Sequence, residues 1–189
     1  TAQNCRAAIK VGEEIGLTVI PGMELCTSEE VHVVCLFDDV VNAEAFTDYV
    51  LSTVPPVKNR ADIFGEQLIM DEGDGIIGTQ DLLLTTASGI SIEKAVQIVG
   101  EYGGIHIDRS SYSVISNLGM ITPEMGFKAV EMTAQADQNE FKDRYPIIKD
   151  MPVIVSSDAH YLENMKEAEN TINVSENSVK AIVDRFRKL

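Results

Sequence analysis

The chain has 189 residues, 44% of them hydrophobic and 24% charged, which excludes a disordered or collagen-like chain and fits a single domain spanning residues 1–189. Thirty acidic residues against fifteen basic ones give a net charge of −15, a sign that repels phosphate backbones and excludes extended nucleic acid as an expected partner. No apolar run is long enough to cross a bilayer, the opening residues lack the regions of a signal peptide, and three cysteines are too few for a disulfide framework, so no membrane and a cytoplasmic location are expected.

In chain order, residues 2–15 carry Cys5, Ala8, Ile9, Gly12 and Ile15 at helical spacing, with Gly16 as a stop. Residues 17–25 read as a buried strand and residues 31–37 as a second one. Residues 42–53 read as a helix ended by Val54-Pro55-Pro56. Asp74-Gly75 between apolar runs signals a hairpin. After it come a helix with Ile92, Ala95, Val96 and Val99 on one stripe, a strand at 103–109, a helical stretch at 113–120 and a strand at 127–133. A helix at 138–150, a strand at 151–160 ending in a polar turn, and a closing helix at 176–187 complete the order. Alternating strands and helices predict an α/β fold with a mainly parallel sheet.

The three histidines, His32, His106 and His160, all fall in a strand or just past one. Asp108 lies two residues from His106, Asp158 lies two from His160, and Glu24 sits near the end of its strand. In parallel sheets the carboxyl ends of strands converge on one rim, so these residues form a candidate metal centre suited to zinc, manganese or iron(II). A lone histidine on a strand is more often structural, and Asp158 after Ser156-Ser157 also fits a helix cap. It is the coincidence of all three histidines near strand ends, two of them beside carboxylates, that favours a metal.

Pro21-Gly22-Met23-Glu24, Glu30-Val31-His32-Val33-Val34, Ile105-His106-Ile107-Asp108-Arg109 and Ser156-Ser157-Asp158-Ala159-His160 resemble, in order, motifs of the polymerase and histidinol phosphatase (PHP) family. That resemblance covers about residues 1–167 and implies a distorted (β/α)7 barrel of mostly parallel strands, holding two or three divalent ions (Mn, Zn or Fe). It implies Glu24 as a carboxylate bridging two metals, His32 and His106 on the second metal, Asp158 on the first and His160 on the third. Arg109 becomes the expected clamp for a substrate phosphate, since guanidinium binds phosphate oxygens in pairs; a surface ion pair is its other reading. The implied activity is hydrolysis of a small phosphate monoester or diester.

The chain departs from that pattern at its start. The family's opening His-x-His and Asp-His motifs do not occur, so the expectation is a barrel truncated at its N-terminus, weakly active or inactive as it stands. Its exposed sheet edges favour pairing with another chain, and a homodimer is the expectation. The alternative is a degenerate PHP domain acting as a non-catalytic binding or regulatory module. A third reading, an amidohydrolase-like hydrolase of C–N bonds, is opposed by the Ser-Asp-Ala-His ending.

Overall fold

The computed structural model describes residues 1–108, 114–133, 136–166 and 171–188, with Ser116 and Thr133 described by their backbone only. Helix α1 (Cys5–Ile15) ends where Gly16 turns to φ 73°, a left-handed conformation that glycine adopts without strain. Strands β1 (Gly22–Cys26) and β2 (His32–Phe37) form an antiparallel hairpin. Gly22 is required there, because a Cβ would sit 2.6 Å from the Cys35 carbonyl oxygen. Helix α2 (Val40–Thr53) opens on Asp39, whose carboxylate accepts from the Val41 N–H at 2.7 Å, and it stops before Pro55-Pro56. A short helix α3 (Ala61–Phe64) precedes a second hairpin, β3 (Leu68–Met70) and β4 (Ile76–Thr79). In the turn between them the Asp71 carboxylate accepts from the N–H groups of Gly73 and Gly75.

Helix α4 (Ile92–Glu101) starts at Ser91, whose hydroxyl accepts from the Lys94 N–H at 3.3 Å. Strand β5 (Gly104–Asp108), helix α5 (Val114–Leu118), strand β6 (Ala129–Thr133) and helix α6 (Gln138–Arg144) follow. Helix α6 is shorter than its pattern predicts, because Pro146 cannot continue it and begins a tight turn instead. Strand β7 (Val153–Ser156) and helix α7 (Val179–Arg187) complete the described chain. No helix among the described residues is long and apolar enough to cross a membrane.

The expected barrel is not what forms. Among the described residues, five strands make one open mixed sheet in the order β1-β2-β5-β6-β7, and β3 with β4 pair off separately. The ladders β1–β2 and β2–β5 are antiparallel, whereas β5–β6 and β6–β7 are parallel. The distorted (β/α)7 barrel with mostly parallel strands is therefore corrected to an α/β domain with a mixed sheet. The cause is local. Only five residues, 27–31, join β1 to β2, too few for the crossover that a parallel pair needs, so the chain must turn straight back. With two strands diverted to their own hairpin, five remain, fewer than the roughly eight that close a small barrel. Strands β1 and β7 are left as its two edges.

Helices cover both faces. Against one face, α2 and α4 bury Met23, Leu25, Val33, Cys35, Phe37 and Val130 in the larger core. Against the other, α7 packs Val183 and Phe186 on Ile105, Ile107 and Ala129. Arg187 fixes the end of α7, with its guanidinium donating to Asp38 at 2.9 Å, to Asp184 at 2.6 Å and to the Gly103 carbonyl.

Candidate functional site

Strand pairing decides which side chains can meet. Paired residues share a face, and successive residues alternate. Cys26 pairs with His32 and Glu24 with Val34, so Glu24 and His32 lie diagonally across the hairpin on the face that α7 covers. The imidazole Nδ1–H donates to Glu24 Oε1, and about a third of each side chain is exposed (31% for His32, 35% for Glu24). Beside His32 opens a groove of about 720 Å³, lined by Cys26, Glu29, Glu30, Thr85 and Asn117. Its walls are fixed: the Glu29 carboxylate accepts from the Ile92 N–H at the start of α4, and the Asn117 amide donates to the Glu30 carbonyl at 2.7 Å. Burial pushes the Cys26 thiol up, with the charges of Glu30 and Glu24 adding to it, so the groove holds no thiolate nucleophile at neutral pH.

His106 is on the opposite face. Its partner across β2 is Cys35, which points into the larger core with Val33 and Phe37. The ring is 6% exposed, donates from Nε2 to the Met125 carbonyl at 2.9 Å, and meets Phe127 edge-on with centroids 5.0 Å apart. Asp108 does not orient it. Its carboxylate accepts from the Val114 N–H at 2.9 Å and so holds the start of α5. Burial lowers the His106 pKa below its ordinary 6.5, against the pull of the Met125 carbonyl acceptor, which favours the charged ring. Protonation thus favours the unfolded chain, and the stability His106 contributes is present above pH 6.5 and lost as pH falls below it. Urea titrations between pH 7.5 and 5 are expected to show a loss of up to about 1.4 kcal/mol per pH unit that is absent in His106→Gln. Equal slopes in the two proteins would refute a buried, neutral His106.

Asp158 and His160 follow β7 at the far edge of the sheet. Asp158 takes φ 46°, and His160 donates from Nδ1 to the Asp158 carbonyl at 2.9 Å, its side chain 69% exposed. Since β5 and β6 intervene, β2 and β7 are three strand spacings apart, about 14 Å in a flat sheet. The structure therefore brings together Glu24 and His32, places His106 behind the sheet, and leaves Asp158 and His160 at the opposite edge. Among the described residues there is no group of three or more His, Cys, Asp or Glu placed to hold a metal ion. Arg109 lies outside the described residues.

One acidic residue on the Glu24 face escaped the sequence reading. Glu131 sits on β6 in the same alternation class as Ala129, and the Ser156 hydroxyl donates to its carboxylate. The signal was a glutamate between the apolar Val130 and Met132 of that strand.

No family model, curated protein or solved structure matches the chain.

Proposed function

We propose that the chain is a PHP-type phosphoesterase domain acting on small phosphate esters, with its metal-binding edge at the Glu24–His32 pair. The observation that carries this reading is the contact between that carboxylate and that imidazole beside a polar groove. Donation from Nδ1 makes Nε2 the lone-pair nitrogen of the neutral ring, and an imidazole held by a carboxylate through its other nitrogen is the usual posture of a metal-binding histidine. Carboxylate oxygen and imidazole nitrogen suit zinc, manganese or iron(II). Two donors fall short of the three protein ligands of a catalytic zinc site, so the pair is an incomplete centre within the described residues. What these residues do unaided is orient the His32 ring beside the groove. A metal held there would supply polarisation of a phosphoryl oxygen.

A second reading, a binding module without catalysis, is favoured by the core position of His106. Elemental analysis of the purified chain after loading with Mn²⁺, Zn²⁺ or Fe²⁺ separates these readings when joined to hydrolysis of p-nitrophenyl phosphate and its diester. The expected result is one metal per chain, with affinity about 10–100-fold weaker in Glu24→Gln and lost in His32→Asn, and metal-dependent hydrolysis. Metal retention without hydrolysis selects the binding module. No metal under any loading, or retention in His32→Asn, overturns the site.

A further inference from the structure

On the α7 side of the sheet, away from the Glu24–His32 pair, lies a second cavity of about 510 Å³. Ile20, Leu36, Ile154, Ile172 and Phe186 of α7 give it an apolar lining. The volume falls within the 300–1,000 Å³ typical of small-molecule sites. At its rim is Arg185, exposed and engaged with no carboxylate among the described residues. Arg144 is also exposed and in no ion pair among the described residues, but it does not line this cavity. Arg6 holds Glu44, Arg60 holds Asp62, and Arg187 holds Asp38 and Asp184. The acidic residue beside Arg185, Asp184, is taken by Lys180 and Arg187.

From this placement we infer that the cavity binds a single-chain organic carboxylate, its hydrocarbon body against Leu36, Ile154, Ile172 and Phe186 and its carboxylate on the Arg185 guanidinium. Each buried methylene tightens such a complex about fourfold, a dependence on chain length that a polar groove does not give. The guanidinium fork matches a carboxylate in pairs of hydrogen bonds and sets the head-group preference. Arg185 is the one charged residue among the described residues that line the cavity, so a carboxylate head group is matched there and an ammonium is repelled. This site shares no residue with the proposed phosphoesterase groove, so either stands without the other.

The test is calorimetric titration of the full chain with octanoate, 1-octanol and octylammonium. Octanoate is expected to bind with Kd below about 1 mM and about tenfold more tightly than octanol, with octylammonium weakest. Arg185→Gln, at an exposed position, is expected to reduce octanoate to the octanol affinity and leave octanol unchanged. Ile172→Glu is expected to abolish both, with the far-UV circular dichroism retained. Equal affinities for octanoate and octanol, an Arg185→Gln variant that binds octanoate as before, or no binding at all would overturn the assignment. So would a sedimenting dimer that Ile172→Glu disperses, which would make a second copy of the chain the occupant.

Discussion

Replacing Phe46 with alanine is expected to lower the free energy of unfolding by about 3–5 kcal/mol. The ring is fully buried on α2, with its centroid 5.2 Å from Phe37 on β2 and 5.6 Å from Tyr102 at the end of α4. Three elements therefore meet on one side chain, and its removal opens a void that none of them can fill alone. The surroundings leave no slack: a Cβ at Gly104 would come within 2.8 Å of both Phe37 and Val99. Side chains this crowded are held by their neighbours and do not collapse into a new cavity, which puts the cost at the upper end of the range. Phe46→Leu keeps most of the apolar volume and is expected to cost clearly less. Tyr161→Ala, at a side chain 68% exposed, is expected to stay within about 0.5 kcal/mol of the parent. Urea denaturation followed by circular dichroism measures all three. A Phe46→Ala loss below about 1 kcal/mol would mean that α2 does not pack against β2 and α4 as described.

The elements were readable where one residue type ends them. Gly16 stops α1 and Pro55 follows the end of α2, because a left-handed φ and a missing N–H act locally, whatever the rest of the chain does. Sheet topology was misread because the alternation of strands and helices was given more weight than one connection length. The five residues between β1 and β2 were a sufficient signal for an antiparallel pair. With that hairpin in place the carboxyl ends of β1 and β2 lie at opposite ends of the sheet, so the strand-end rule gathers Glu24 and His32 only because β2 begins where β1 stops.

The face of His106 was not legible at all. All five residues of β5 are buried, since helices cover both sides of that strand, so a period of two leaves no imprint on its sequence. Only the pairing of His106 with Cys35 reveals that it points into the larger core. The separation of Asp158 and His160 from Glu24 has the same origin at larger scale. Residues at the two edges of a sheet become neighbours when it closes, and in an open one they remain strand spacings apart. A ligand set taken from a closed barrel therefore divides here into a pair on one face, a core histidine, and a turn at the far edge. That division is why metal affinity should follow His32, while the acid sensitivity of folding should follow His106.

Cys35 is expected to be the slowest of the three thiols to react and to make the fold sensitive to alkali. It is fully buried on β2, which has a strand on either side, and burial pushes its thiol up from the ordinary 9.0 to about 12. At pH 8 the thiolate, which is the reactive form, is therefore about a thousandfold scarcer than at an ordinary thiol, before any steric protection. Cys5 and Cys26 are only partly buried, so they should react with a disulfide reagent first, and Cys35 only on unfolding. The effect on stability has a definite sign. A group whose pKa is raised by folding stabilises the native state fully below its unfolded value and loses that contribution as pH rises toward the folded one. Between pH 9 and about 12 the unfolded thiol ionises and the folded one does not, so Cys35 should withdraw about 1.4 kcal/mol per pH unit. Cys35→Val keeps the apolar contacts and removes the ionisation. Its stability should fall less steeply than the parent's above pH 9, with parallel curves below. Parallel curves throughout, or a Cys35 that labels as fast as Cys26, would mean that β2 does not run through the interior of the sheet, and the hairpin that joins Glu24 to His32 would fall with it.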